Sequence, residues 1–573
     1  MFYDRERMRA AFDESQYHGC WFVAANLAYD LCNLYGNQIP IELCLVGRNL
    51  YFGRRQVTVK VIRTPKRTYE SPVYVHFADV LRQCPSGSVR KLGEWLGLPK
   101  IDTGGRHPED MPLEEAVAYC GRDSEITCRF AHRLQDTYHD LGCEYKYTLG
   151  SSALDLWRRK YQTRPYIRLD ESTLMHLAQA YYGGRCEAFE IGELKDGPFY
   201  FGDFKSMYPS VMRDLPLPIA SREHCFECSC PGSWALDYEG VSRVTVHHPD
   251  MTYPVLPYRH PQTNKLLFPV GTFTGYWTHL ELRYALSLGV RILRYHYTVY
   301  FDAVESTLAP MMERLYALRS DGPWQNIVGK LLSNNLSGKY AQNRPPGRLL
   351  TPEAFELLRY ESTEDIQATQ VYRDDTDTPI AYLVEETNWE LPKHTNFVWS
   401  AYITAGARIK LHRAGAPLRM IYCDTDSILT RTPLTTSTAL GSLDLKEVTQ
   451  ACTILAPKAY ETDESCRVKG VPRHQGWYEA LPGQYFPTDD LQSMALAGFK
   501  VFYDAPLKLF ESFTRTGFLP RIEESVDGEC TYNKDAIRAS PNIWHVKSKV
   551  LTGESDKRII LPGGRTKPLR IQE

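Results

Sequence analysis

No uncharged apolar run in the chain approaches the ~18 residues that a membrane-spanning helix requires. Its opening, Met1-Phe-Tyr-Asp-Arg-Glu-Arg-Met-Arg, is charged where a secretory leader would be apolar, so neither a span nor an export signal is expected. An excess of either charge is also missing. Lys and Arg number 67 against 69 Asp and Glu, a net charge of −2 that excludes a histone-like basic coat. A polyanion must then be met by local patches rather than by a global field. The 15 cysteines are odd in number and scattered, which argues against a disulfide framework and for a reducing, cytoplasmic compartment. With 38 Gly and 36 Pro the usage is near average, so collagen-like and low-complexity readings fall away, and no internal repeat is visible.

What is present is a soluble globular composition over 573 residues, 43% hydrophobic and 24% charged. At ~150 residues per domain that is about four domains' worth of chain. Tyr is abundant at 37, against 22 Phe and 10 Trp. A ring that also offers a hydroxyl suits nucleotide and nucleic-acid clefts, although ordinary core and surface positions use it too. Strand-like runs (Val57 to Ile62, Val73 to Phe77) and a helical one (Leu113 to Leu134) make the first 145 or so residues α/β. Gly150-Ser151-Ser152 is the first expected joint. A second α/β region follows, interrupted by a β-rich stretch at about 215–300 (Tyr253-Pro-Val-Leu-Pro-Tyr, Phe268-Pro-Val-Gly) and a polar, acidic one at about 344–392. Val304 to Ala341 predicts two helices broken at Asp321-Gly-Pro. Lys547, Lys549, Lys557, Arg558, Arg565, Lys567 and Arg570 crowd the last residues, a run that suits a solvated face or a phosphate track.

Three segments carry chemistry. In Met420-Ile-Tyr-Cys-Asp424-Thr-Asp426-Ser-Ile-Leu, apolar residues flank a tight Asp-Thr-Asp, the pattern of a β-hairpin whose turn presents acids. Two carboxylates two residues apart on extended chain point the same way and repel unless a cation lies between them. Taken alone, the tripeptide equally suits an acid-rich surface turn. Phe199-Tyr-Phe-Gly-Asp203-Phe-Lys-Ser-Met-Tyr208-Pro-Ser is an aromatic strand ending in an acid, next to a segment that must turn. In Gln325-Asn-Ile-Val-Gly-Lys330-Leu-Leu-Ser-Asn334-Asn-Leu-Ser337-Gly338, positions 330, 334 and 337 share one polar helical face. Together they offer acids for Mg²⁺ and a lysine as a point charge for phosphate, the equipment of phosphoryl transfer.

Here the sequence resembles the family B DNA polymerases. Asp203-Phe-Lys-Ser-Met-Tyr208-Pro-Ser resembles motif A, Lys330-Leu-Leu-Ser-Asn334-Asn-Leu-Ser337-Gly338 motif B, and Tyr422-Cys-Asp424-Thr-Asp426-Ser motif C. They occur in the family's order, with Asp203, Lys330 and Asp426 standing 127 and 96 residues apart. Tyr181-Tyr-Gly183-Gly184 resembles the YxGG motif, Lys458-Ala-Tyr460 the KxY motif, and Arg467-Val-Lys-Gly-Val-Pro-Arg the lead into the thumb. The resemblance implies a multidomain α/β fold, a partial RNase H-like 3′–5′ exonuclease domain followed by a right-hand palm, fingers and thumb. Its implied parts are 1–149 exonuclease-like, 150–303 palm with an insertion at about 215–300, 304–343 fingers, 344–392 second insertion, 393–475 palm, and 476–573 thumb and basic tail.

The resemblance also implies roles. Asp203 and Asp426, with the Phe204 carbonyl and assisted by Asp424, would hold two Mg²⁺ ions, for which Mn²⁺ could substitute. Lys330 and Arg319 would meet the triphosphate of an incoming dNTP, with Ser206, Met207 and Asn334 near it. Tyr208 would lie under the sugar and exclude a 2′-hydroxyl. Lys458 and Tyr460 would touch the primer strand of a template-primer DNA, and Tyr181, Gly183 and Gly184 the template. One departure concerns motif B, where Ser337 stands in place of the family's usual aromatic, so the nucleotide pocket loses stacking area.

Asn26 and Asp30 resemble the second exonuclease motif, and Tyr119 with Asp123 the third. They imply two metal ligands, Asp30 and Asp123, and a tyrosine that orients water, with Lys100 as a candidate phosphate contact. The Asp-x-Glu of the first motif has no clear counterpart. Asp4-Arg5-Glu6 runs into a helical pattern only 22 residues before Asn26, so degenerate or absent proofreading is expected. Cys225, Cys228 and Cys230 have zinc-like spacing without a second pair, and a strand with incidental thiols is the default. The insertions after motifs A and B favour the protein-primed branch of viruses, plasmids and mobile elements, and hence a terminal-protein primer as partner. The rival readings are a priming or lesion-bypass polymerase, suggested by Ser337, and a catalytically dead DNA-binding scaffold.

Overall fold

The computed structural model of the chain describes residues 5–573 apart from 507–543 and shorter segments, the longest being 35–41, 362–367, 373–378 and 385–390. It divides into two compact units. The first comprises residues 1–156, 343–391 and 504–547, and the second 157–342, 392–503 and 548–573. No helix among the described residues is long and apolar enough to cross a membrane.

The first unit is built on a seven-stranded sheet. Asn49–Arg63 and Thr68–Asp79 form a long antiparallel ribbon, and Trp21–Ala24 joins its second strand in parallel, Trp21 opposite His76. The expected strands at 57–62 and 73–77 are the middle of this ribbon. The polar stretch after motif B belongs to the same sheet: Gly347–Leu350 pairs with Glu42–Val46, placing Arg348 opposite Cys44. The helix Leu113–Leu141 buries Ile126, Phe130, Leu134 and Tyr138, one residue per turn on a single face, and ends at Gly142, whose φ of 89° suits glycine. The expected joint at Gly150-Ser151-Ser152 lies a few residues before the division of the two units at Leu156 and Trp157. It is the first turn of the helix Leu149–Lys160, where Thr148 Oγ1 accepts the Ser151 amide at 3.3 Å and the following apolar residues are buried. Glu6 lies on the short helix Arg5–Ala11, while Asp4 falls outside the described residues.

The second unit centres on a five-stranded antiparallel sheet in the order Leu443–Thr449, Phe199–Phe204, Ser427–Thr430, Met420–Asp424 and Cys186–Ala188. Ile191, Phe199, Ile421, Tyr422, Leu429 and Ile454 form a core on this sheet. The helix Phe397–Gly415 is buried almost all round, apolar over its first half and carrying Arg408, Lys410, His412 and Arg413 in its second. Gly406 lets it approach the helix Met207–Asp214, because a Cβ there would meet Val211 Cγ1 at 2.7 Å. The expected helix pair appears as Ala309–Leu318 and Pro323–Lys339, broken at Gly322 with φ of 136°. The β-rich stretch after motif A forms a second five-stranded sheet over Val244, Val246, Phe273 and Trp277. Cys225–Cys228 is one of its strands, and the side chains of the proposed zinc cluster lie outside the described residues. The basic run at the end is not a continuous solvated face. Arg558 is 1% exposed, and Arg570–Gln572 pairs in parallel with Val270–Thr278. Its cations were legible as charge, but their burial depends on partners far away in sequence.

Inside the insertion sheet, His279 is fully buried. Its Nδ1 meets the Tyr238 carbonyl at 2.8 Å, leaving Nε2 to accept from Ser242 Oγ at 2.8 Å. Burial pushes its pKa down to about 4. Between that value and the ordinary value near 6.5, the unfolded chain binds a proton that the folded chain excludes. Stability must therefore fall as pH drops from about 6.5 towards 4, by roughly 2 kcal/mol at pH 5 from this group. Urea unfolding at pH 7 and pH 5 should show a smaller pH-dependent loss for His279→Gln than for the parent chain.

Candidate active site

The catalytic-type acids are assembled by strand register. Asp203 ends the strand Phe199–Phe204 and lies opposite Ser427 on one side and Asp444 on the other. The neighbouring hairpin of Met420–Asp424 and Ser427–Thr430 turns at Thr425, which holds φ of 59°. The turn is locked to motif A by the Phe204 amide, which donates to the Asp426 carbonyl at 2.7 Å. This left-handed turn corrects one expectation. Asp424 and Asp426 do not point together from extended chain; they part. Asp424 takes Lys458 Nζ on both oxygens, at 2.9 and 2.8 Å. Asp426 is left facing Asp203.

The electrostatics follow. Burial, with the charges of Asp203 and Asp424, pushes the pKa of Asp426 up. The cation facing Asp203 is Lys446, whose Nζ lies 3.2 Å from Asp203 Oδ1 and 2.6 Å from Asp444 Oδ2. A solvent cleft of about 730 Å³ opens over these groups, lined by Asp203, Asp424, Asp426, Lys458, Tyr460, Arg467, Lys469 and Gln492. Tyr460 is 7% exposed and packs its ring against Phe201 and Tyr422.

The other expected residues sort into those that join and those that do not. Tyr181, Gly183, Tyr208, Asn334 and Ser337 line one small cavity of about 230 Å³, so YxGG, motif A and motif B converge. Ser337, the departure in motif B, is part of its wall. Ser206 holds φ of 53° at the start of the helix Met207–Asp214, and Arg319 Nη1 donates to its hydroxyl at 2.8 Å. Met207 is 1% exposed, so its side chain serves the core. Lys330 stands on the exposed face of its helix and lines neither cavity.

A scan against protein-family models matches residues 103–427 to the DNA polymerases of type B, organellar and viral. The chain belongs to that family. Curated relatives include the DNA-directed DNA polymerase of Enterobacteria phage PRD1, 26% identical over 338 residues, which are 55% of this chain and 54% of that one. The primer-independent DNA polymerase PolB of Escherichia coli is 24% identical over 362 residues, 53% and 40% of the two chains. The chain thus spans about half the length of the curated relatives it matches. Among solved structures, Phi29 DNA polymerase in its orthorhombic crystal form superposes with a TM-score of 0.63 at 17% identity, covering 88% of this chain and 90% of that one. Its ternary complex with primer-template DNA and incoming nucleotides gives 0.60 at 17%, covering 86% and 85%. These likenesses establish the polymerase fold.

Within this type B polymerase fold, two supports escaped sequence reading. Arg408, inside the buried helix Phe397–Gly415, donates to the carbonyls of Tyr182 and Gly183, each at 2.8 Å, and pairs with buried Glu281 at 2.7 Å. An arginine inside an apolar helix was the available signal. The second is Asp79 in the first unit, which accepts the amides of Asn26 at 3.2 Å, Leu27 at 3.3 Å and Leu81 at 2.9 Å. Asp30 reaches solvent on one side, yet crowding by protein, followed by the charge of Asp79, pushes its pKa up to about 7. Asp123 accepts Lys100 Nζ at 2.7 Å, and the same ammonium lies 4.7 Å over the Tyr119 ring. Among the described residues, no three His, Cys, Asp or Glu side chains stand close enough to hold one metal ion. Asp203 and Asp426 remain as a pair because Lys458 draws Asp424 away.

The YxGG glycines differ in what they permit. A Cβ on Gly184 would meet Thr425 Cγ2 at 2.8 Å and Oγ1 at 2.9 Å, whereas one on Gly183 meets nothing within 4 Å. Gly184→Ala should push the acid-bearing turn and destabilise the chain by roughly 1–3 kcal/mol. Gly183→Ala should stay within about 0.5 kcal/mol. Denaturant unfolding of both variants checks the contrast.

Proposed function

We propose that the chain is a template-directed DNA polymerase that adds dNTPs to a primer 3′-hydroxyl by phosphoryl transfer, in the replication of a virus, plasmid or mobile element. The observation that carries this reading is the meeting of Asp203 and Asp426 at one sheet edge. Two carboxylates meet there, and burial with the neighbouring charge of Asp203 pushes the pKa of Asp426 up, a repulsion that a divalent cation relieves. The donors are hard oxygens, suited to Mg²⁺ and tolerant of Mn²⁺. Asp203, Asp426 and the Phe204 carbonyl would hold two such ions, which when bound lower the pKa of the primer hydroxyl and neutralise the triphosphate.

The chain's own residues do the rest. Lys458 neutralises Asp424, so the turn does not carry two uncompensated charges. Arg319 fixes the strained Ser206 turn and remains beside the helix that carries Lys330, where both cations serve a triphosphate. Tyr208 presents its ring to the small cavity and excludes a 2′-hydroxyl. Template-primer DNA runs over Tyr181, Gly183, Gly184, Lys458 and Tyr460. Initiation from a terminal protein is in keeping with the two insertions. Ser337 in the cavity wall and the primer-independent E. coli relative favour a priming polymerase as the second reading.

Asp426→Ala and Asp203→Ala should each reduce nucleotide incorporation by at least about 10³-fold. Duplex binding should change less than about threefold, because the acids meet ions rather than phosphate. Primer extension and fluorescence anisotropy measure the two arms, and robust extension by either variant would remove the assignment.

Proofreading is proposed to be degenerate. Glu6 of the Asp-x-Glu ahead of the second motif lies on the helix Arg5–Ala11 rather than on a strand, and Asp123 is engaged by Lys100 at 2.7 Å, so the acids of an exonuclease ion site are incompletely assembled. Incubation of a mismatched 3′ end with Mg²⁺ or Mn²⁺ and no dNTPs should show little excision. Excision that disappears in Asp123→Ala would establish a working exonuclease.

A further inference from the structure

The outer strand of the catalytic sheet, Cys186–Ala188, is only three residues long, yet it carries the motif C strand on its inner side. A short edge strand with unpaired backbone groups is a weak support for an acid-bearing turn. Its other side is covered from the far end of the sequence. The Thr566 amide donates to the Phe189 carbonyl at 2.8 Å, and the Ile191 amide to the Gly564 carbonyl at 2.7 Å. Gly564 is required there. It holds φ of 80°, and a Cβ would lie 2.1 Å from the Ile191 carbonyl oxygen. Lys557 Nζ reaches the Cys186 carbonyl at 3.1 Å, directly opposite Asp424 in the register.

Beneath this cover lies an ionic relay. Arg558 Nη1 donates to Glu187 Oε1 at 3.2 Å, and Arg185 Nε donates to Glu187 Oε2 at 2.6 Å. All three side chains are at most 2% exposed. Burial opposes ionisation of Glu187, but the two arginines prevail and hold its pKa below the ordinary value. Three buried charges need further hydrogen-bond partners. Accordingly Arg185 Nη1 reaches the Pro254 carbonyl at 2.8 Å, while Arg558 reaches Thr566 Oγ1 and the Thr252 carbonyl at 2.8 and 2.9 Å. The relay ends at the acids, because the Arg185 carbonyl accepts the Thr425 amide at 2.7 Å. Thr425 is the left-handed residue between Asp424 and Asp426.

We propose that Arg558 is a positioning residue for nucleotidyl transfer. Through Glu187 and Arg185 it holds the Asp424-Thr425-Asp426 turn in place, and the segment 557–566 is a working part of the catalytic palm rather than a tail. The role of the turn in catalysis rests on the polymerase reading; the mechanical coupling does not.

The test uses the full chain with Arg558→Met, which removes the charge at similar volume, and Arg558→Lys. For Arg558→Met, kcat of dNTP incorporation should fall roughly 10–100-fold, the range for groups that orient metal ligands. KM for dNTP and Kd for primer-template should stay within about threefold, and the Mg²⁺ concentration for half-maximal rate should rise several-fold. Arg558→Lys should recover part of kcat. In a second readout, without metal or substrate, hydrogen exchange of residues 421–427 should accelerate at least about tenfold in Arg558→Met while the insertion sheet is unaffected. A folded Arg558→Met with parental kcat, Mg²⁺ dependence and exchange would overturn the proposal. If Arg558→Met does not fold, Thr566→Val, which removes the Arg558 and Ala188 contacts of that hydroxyl, should show the same pattern more weakly, and a parental pattern there overturns it equally. If the parent chain incorporates nothing, the polymerase reading fails, and the exchange comparison still decides the coupling.

Discussion

Two carboxylates that repel each other must be held face to face, and the second unit is organised around that requirement. Asp203 lies on a strand that pairs directly with the strand following Asp426, Ser427 opposite Asp203, so the register of one antiparallel sheet sets the separation of the acids. A register slip of one residue would turn Asp203 to the opposite face, which is why buried apolar neighbours such as Phe199, Ile428 and Leu429 matter to the site as much as the acids do. The sheet holds the acids near each other, and burial together with the charge of Asp203 pushes the pKa of Asp426 up.

The surrounding cations divide that charge by position. Lys458 takes both oxygens of Asp424, and Lys446 spans Asp203 and Asp444. Arg319 does not touch an acid at all; it ties the fingers-like helices to the left-handed Ser206. Each is long enough to withdraw when a more strongly charged partner arrives. The buried arginines behave differently. Arg408, Arg185 and Arg558 are locked by bidentate or multiple hydrogen bonds, and their work is to fix main-chain carbonyls next to the YxGG segment and the acid-bearing turn.

The first unit shows the contrasting case. Asp79 closes a turn by accepting three amides. Burial, and after it the charge of Asp79, pushes the pKa of Asp30 up to about 7. A carboxylate used as a backbone cap and a carboxylate used as an ion ligand make opposite demands on local charge.

The linear sequence determined which residues carry chemistry, because motif chemistry is local. Asp203 before a turning Ser206, the Asp424-Thr425-Asp426 hairpin and the helix break at Gly322-Pro323 follow from propensities and apolar spacing within a dozen residues. They were legible, as was the family. The tertiary structure decided what those residues do with one another. The parting of Asp424 from Asp426 depends on one left-handed φ at Thr425. Glycine at 184 is explained only by Thr425, 241 positions later in the chain. Gly150-Ser151-Ser152 marked the neighbourhood where the two units divide, whereas its folding into a helical turn capped by Thr148 was invisible in composition. The basic run near 558 read as solvated because charge is written in the sequence, whereas desolvation is not. Arg558 is buried only because Glu187, 371 residues away, is buried with it.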